Sequence, residues 1–166
     1  HDYEEKDLSS VADVAGRIAA HFAGNQTLLA YDLRNEPHFS DLAAAVYPGG
    51  KKAPVQQNTT ALASYQQMVS RAGAWVAERD YVLSILDYLG SPEGRQWDGL
   101  LGQVNGSLAM WLQPQIDAIR RADTGHPITT SYSDLILASQ PANGSLDYIT
   151  VHRYPNASAK GVAATA

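Results

Sequence analysis

The stretch from Thr27 to His38 constrains the fold of this chain more than any other. It reads TLLAYDLRNEPH, a nearly continuous apolar run that ends in a cluster of polar and ionisable residues. A strand buried on both faces of a parallel sheet has this pattern as it reaches the functional rim. The sequence therefore predicts an α/β fold with its chemistry at the carboxyl end of this strand.

The tripeptide Asn35-Glu36-Pro37 carries the chemistry of that stretch. We expect Glu36 to be held by rigid backbone and to face a cleft, where partial burial would raise its pKa toward that of a general acid. Asn35 can donate a hydrogen bond to a substrate hydroxyl. Pro37 biases Glu36 away from helical backbone, so a sharp turn is predicted here.

At Asn35-Glu36-Pro37 the chain resembles the clan A glycoside hydrolases, and within them family five, which includes cellulases and mannanases. In that family the fourth strand of a (β/α)8 TIM barrel ends in Asn-Glu-Pro. The resemblance implies that Glu36 is the acid/base of a retaining mechanism and that Asn35 binds the sugar 2-hydroxyl. It also implies an O-glycosyl hydrolase acting on β-linked glucan- or mannan-type saccharides, with no cofactor and no metal.

A second motif follows a predicted strand over 146–151 and reads His152-Arg153-Tyr154-Pro155. Residues at i and i+2 of a strand share one side, which places His152 and Tyr154 together. The motif resembles the end of the sixth strand in the same family. The resemblance implies that His152 binds sugar and supports the acid/base region, and that Tyr154 lies near the nucleophile.

The remaining pattern is mostly helical. Helical spacing predicts a helix from Asp7 to Phe22, a helical segment within 60–89 and a second helix that begins at Ser107, followed by a strand over 128–131. We interpret residues 1–166 as the central part of one TIM-barrel domain, covering strands four to six. Residues 39–106 would be a helical insertion after the fourth strand that caps the cleft.

Two further residues are expected to contact substrate. His38 follows the Asn-Glu-Pro turn directly. Trp97 lies in a polar run, and an aromatic face matches the apolar face of a pyranose ring. Trp75 and Trp111 instead fall on apolar helix faces and are expected in the core.

Composition limits the classes of partner. The 166 residues carry a thinly spread net charge of −5, 17% are charged and 45% hydrophobic, and there is no long apolar run, so neither nucleic acid nor a membrane is an expected partner. The absence of cysteine excludes thiolate chemistry. Five asparagines stand in Asn-x-Ser/Thr patterns, at 25, 58, 105, 143 and 156, and these patterns favour an extracellular or cell-envelope location.

Retaining hydrolysis needs a second carboxylate about 5 to 5.5 Å from the first. In the family this nucleophile is a glutamate after the seventh strand, and no glutamate here other than Glu36 follows a predicted strand. We therefore expect the nucleophile and the missing barrel strands to come from the rest of a longer polypeptide, and the fragment alone to be inactive. The alternatives are a non-catalytic carbohydrate-binding or structural barrel fragment, and a metal-dependent hydrolase that uses His38, His152 and Asp32 or Glu36.

Overall fold

The computed structural model of the chain describes residues 5–39, 55–81 and 83–153. This part is a mixed α/β structure, mostly helical, around a small parallel sheet. The helices are α1 (Glu5–Phe22), α2 (Val55–Arg79), α3 (Ser84–Gly90), α4 (Asp98–Ala122) and α5 (Leu135–Ala138). The strands are β1 (Tyr31–Asn35), β2 (Ile128–Tyr132) and β3 (Thr150–Val151), and short 3-10 helices span Gly94–Trp97 and Pro141–Ser145.

The three strands pair in the order β1-β2-β3, and both pairings are parallel. The middle strand, β2, is buried along its whole length. Between the pairs Asp32–Thr129 and Asn35–Ser131, β1 advances three residues while β2 advances two, so the register is irregular. An extra residue of this kind bends a strand and re-aims the side chains that follow it, which here are those of Asn35 and Glu36.

Helices α1 and α4 pack closely beside the sheet. A Cβ atom on Gly16 would lie 3.3 Å from the Cβ of Ala118, so glycine allows the two backbones to approach. Ala19 and Leu108 are fully buried in the same core, together with Ile128 of β2. The helix predicted from Asp7 to Phe22 is confirmed, and Gly24 follows its end with a positive φ of 74°.

The second predicted helix differs from the observed one at its start. Helix α4 begins at Asp98, not at Ser107, and continues past Pro114 to Ala122. Val104 and Leu108 are fully buried, so packing keeps this glycine-containing stretch helical. The predicted boundary of the helical insertion at residue 106 therefore falls inside a helix.

The predicted strand over 146–151 is shorter in the structure, where β3 covers only Thr150–Val151. Asp147 instead makes two contacts with the start of β2: its backbone N–H donates to the Ile128 carbonyl, and its carboxylate accepts from the Ile128 N–H at 2.7 Å. Asp147 also forms an ion pair with Arg120. These bonds fix the chain before the strand pairing begins.

No helix in the described ranges combines the length and the apolar character needed to cross a bilayer.

Candidate functional site

The carboxyl end of β2 positions the two segments that carry the predicted site. On one side the Glu36 N–H donates to the Ser131 carbonyl at 2.7 Å, and on the other the His152 N–H donates to the Tyr132 carbonyl at 2.6 Å. Neighbouring strands lie about 4.8 Å apart, so the backbones of Glu36 and His152 are separated by about 10 Å across β2. Two long side chains can span that distance.

The side chains of Glu36 and His152 meet over the end of β2. The His152 Nδ1 and Glu36 Oε1 atoms are 2.9 Å apart. When Glu36 is ionised its carboxylate can only accept hydrogen bonds, and His152 Nδ1 is then the donor. The Glu36 side chain retains 22% of its exposure and that of His152 30%. The pair is thus ordered by a hydrogen bond and still accessible to a ligand.

The backbone of Glu36 is unusual. Its φ is +50°, in the left-handed region that a residue with a side chain rarely adopts. Such a conformation costs on the order of 1 to 3 kcal/mol and persists only where the surroundings impose it. Pro37 follows and is buried, which fixes the direction of the chain after the turn.

A second polar pair, Asp32 and Ser131, links β1 and β2 before the position of Glu36. The Ser131 hydroxyl donates to Asp32 Oδ2 at 2.5 Å, and Asp32 is exposed. Asp32 pairs with Thr129 and Ser131 with Asn35, so the bond runs across β1 and β2 toward the carboxyl edge. Asp32 is thus a second exposed carboxylate, four residues before Glu36 in the chain.

The structure brings together only some of the predicted site residues. Glu36 and His152 are in contact, and Asn35 and His38 flank Glu36 with exposed side chains. Tyr154 lies outside the described residues. Trp97 is buried, and its Nε1–H donates to the hydroxyl of Tyr88 in α3 at 2.9 Å. Its ring therefore packs in the core and presents little surface for stacking on a sugar.

Sequence reasoning missed a group of residues beside the site. Phe39 and Tyr65 are both buried, and their rings stack with centroids 4.3 Å apart. The Tyr65 hydroxyl donates to Asp134 Oδ2 at 2.5 Å. Burial, with the Asp134 charge and hydrogen bond, raises the pKa of Tyr65 far above its usual value. The only sequence signal was an aromatic residue three positions after Glu36 and another on the apolar face of a helix.

A further ionisable cluster lies at the opposite, amino edge of the sheet. Asp123 accepts hydrogen bonds from the Tyr31 hydroxyl at 2.8 Å and from the Gly125 N–H, and its Oδ2 atom lies 2.6 Å from His126 Nδ1. Burial opposes ionisation of Asp123, but these hydrogen bonds, led by that of His126, hold its pKa well below the usual range. Burial first, and then Asp123, raises the pKa of Tyr31 to about 12.

His126 has acceptors at both ring nitrogens. Nδ1 faces Asp123, and Nε2 lies 3.0 Å from the Asn25 carbonyl. The Asp123 hydrogen bond raises the pKa of His126, against the opposing effect of burial, because only the doubly protonated ring can donate to both partners.

Among the residues that the structure describes, no three histidine, aspartate or glutamate side chains are grouped as metal ligands. No family model, curated protein or solved structure matches this chain.

Proposed function

We propose that the chain is the acid/base-bearing part of a retaining glycoside hydrolase that acts on β-linked glucan- or mannan-type saccharides. The observation that carries the proposal is the Glu36–His152 hydrogen bond over the end of the central parallel strand, with both side chains partly exposed. Parallel α/β sheets bind their ligands at this edge. A glutamate ordered there and open to solvent has the access that a general acid requires.

Glu36, His152 and Asn35 each have a role in the proposed reaction. The nucleophilic carboxylate attacks the anomeric carbon while the glycosidic C–O bond breaks and Glu36 gives its proton to the leaving oxygen. Glu36 then takes a proton from the water that attacks the glycosyl-enzyme intermediate. His152 orients the Glu36 carboxyl, and Asn35, next to it, binds the sugar hydroxyl adjacent to the reacting carbon.

The proposal includes a complete (β/α)8 barrel, whose other strands and nucleophile come from polypeptide outside this sequence. An apolar stripe on α1 supports it: Val14, Ile18 and Phe22 recur every four residues and are 51%, 46% and 38% exposed. Such a stripe normally faces a packed neighbour. In a barrel, an adjacent helix of the outer ring would cover it.

The test is the dependence of Glu36→Ala on the leaving group, measured in the intact enzyme with a panel of β-glucosides, β-mannosides and their disaccharides. For poor leaving groups the loss of the proton donor should lower kcat/KM by about 10²- to 10⁴-fold. Activated aryl glycosides need no proton for bond cleavage, so their cleavage step should be far less affected.

Asp32→Asn is the matched control, because it removes a nearby carboxylate charge that is not assigned to proton transfer. It should show no dependence on the leaving group. An equal loss of kcat/KM on good and poor leaving groups in Glu36→Ala would contradict the acid/base assignment. Saccharide binding without turnover by the intact protein would favour a carbohydrate-binding role instead.

A further inference from the structure

Helix α2 contacts residues next to the candidate site through Tyr65. Tyr65 of α2 stacks on Phe39, with ring planes 28° apart, and its hydroxyl donates to Asp134. Phe39 is three residues beyond Glu36 in the chain. Asp134 follows β2 and caps α5 by accepting from the Ile136 N–H at 2.8 Å. Tyr65 thus connects the segment that carries Glu36 to the segment that follows the central strand.

This connection matters because Glu36 has a backbone conformation that it would not adopt by itself. The structure holds the Glu36 turn on its amino side through the hydrogen bond from the Glu36 N–H to the Ser131 carbonyl. On the carboxyl side the first well-buried aromatic anchor is Phe39, and its stacking partner is Tyr65. Without that anchor the left-handed turn can relax, and the Glu36 carboxyl would move.

We propose that Tyr65 is a positioning residue that holds Glu36 in register with His152 through the ring of Phe39, with its own hydroxyl fixed by Asp134. The helical segment is then part of the catalytic apparatus without touching substrate. The effect of Tyr65 on catalysis rests on the proposed function. Its effect on the position of Glu36 relative to His152 can be measured without any turnover.

The experiment is a nitrogen-15 NMR measurement of the His152 tautomer at about pH 9, where an ordinary imidazole is neutral. The Glu36 carboxylate selects the Nδ1–H tautomer of His152. Glu36→Ala should lose that selection, and its spectrum defines the His152 signals expected when no carboxylate contacts Nδ1. Tyr65→Leu removes the stack and should shift the His152 signals toward those of Glu36→Ala.

Two variants separate positioning from general loosening. Tyr88→Leu removes a tyrosine of α3 that is as deeply buried but bonded to Trp97, and it should leave the His152 tautomer unchanged. Tyr65→Phe keeps the ring stack and should retain most of the Nδ1–H signal. Phe39→Leu breaks the same stack from the other side and should reproduce Tyr65→Leu, which keeps the test available if that variant does not fold.

An unchanged His152 tautomer in both Tyr65→Leu and Phe39→Leu would overturn the proposal, as would an equal change in Tyr88→Leu. In the intact enzyme, Tyr65→Leu should lower kcat on poor leaving groups by about 10²-fold, with little change in KM, as expected for a misplacement near 1 Å. If Tyr65→Leu moves the tautomer while Glu36→Ala shows no leaving-group effect, positioning stands and the glycosidase assignment fails.

Discussion

At Gly94 the first turn of a 3-10 helix passes so close to the end of α3 that no side chain fits. A Cβ atom there would lie 2.0 Å from the Tyr88 carbonyl oxygen and 2.8 Å from the Leu89 Cα. Both neighbours are backbone atoms, which cannot rotate away. The Gly94 N–H is also bonded to the Ser91 hydroxyl, which in turn donates to the Tyr88 carbonyl, so the turn is tied on both sides.

Gly94→Ala should therefore destabilise the protein by about 3 kcal/mol, because backbone must shift to relieve the overlap. The matched control is Gly102→Ala in the interior of α4, where an added Cβ would meet nothing within 4 Å. This control should stabilise by up to about 1 kcal/mol through its better helix propensity. Urea unfolding of the two variants checks the opposite signs, and equal effects would contradict the packing described at Gly94.

At the scale of elements, the Asp123–His126 pair joins the end of α4 to the connection between α1 and β1. Asp123 follows α4, and His126 Nε2 lies 3.0 Å from the carbonyl of Asn25, which stands between α1 and β1. The Tyr31 hydroxyl at the start of β1 completes the link. Three hydrogen bonds at the amino edge of the sheet, Tyr31–Asp123, Asp123–His126 and His126–Asn25, thus involve two titratable side chains, those of Asp123 and His126.

This link predicts a bounded pH range of maximum stability. The lowered pKa of Asp123 gives stability that is present above the ordinary aspartate value of about 3.9 and is lost as the pH falls below it. The raised pKa of His126 gives stability that is present below the ordinary histidine value of about 6.5 and is lost as the pH rises through the folded value. The urea midpoint should therefore be highest between about pH 4 and 6.5 and should decline above that range.

The variants His126→Gln and Asp123→Asn should flatten the alkaline decline. His21→Gln changes an exposed histidine of α1 and serves as the control. A urea midpoint that does not change between pH 5 and pH 9 in the unmodified protein would contradict this account of the amino edge.

The elements show what sequence pattern can and cannot predict. Helix α1 was predicted because its apolar residues recur at helical spacing and Gly24 follows. The start of α4 was missed because Gly99, Gly102 and Gly106 weaken the local signal, while burial of Val104 and Leu108 decides the outcome. The burial of Trp97 was also missed, because its contact with Tyr88 forms only in the folded chain and the polar run around Trp97 does not indicate it.

The same contrast applies to the candidate site. The placement of Glu36 and His152 at strand ends was predictable from two short motifs. Their contact depends on β2 lying between them, which the structure supplies through the carbonyls of Ser131 and Tyr132. The stack of Phe39 on Tyr65 joins residues distant in the chain, and no local pattern predicts it.

At the scale of the whole molecule, pairs of ionisable side chains lie at both the amino ends and the carboxyl ends of the parallel strands, and the two pairs have different roles. The amino edge holds the Asp123–His126 pair, which is buried or nearly so and ties connections together. The carboxyl edge holds the Glu36–His152 pair, which is more exposed. The pair that contains the proposed proton donor, Glu36, is thus the more exposed of the two, and the pair that stabilises the fold, Asp123–His126, is the more buried.

The most direct test of the central claim is the rescue of Glu36→Ala by azide in the intact enzyme, with an activated aryl glycoside as substrate. When the acid/base is missing, no carboxylate deprotonates the incoming water, and a small anion that needs no deprotonation should attack the glycosyl-enzyme instead. We predict that azide restores turnover and that NMR identifies a glycosyl azide with the substrate's own anomeric configuration. Absence of rescue, or an azide product of inverted configuration, would contradict the assignment of Glu36 as the acid/base of a retaining enzyme.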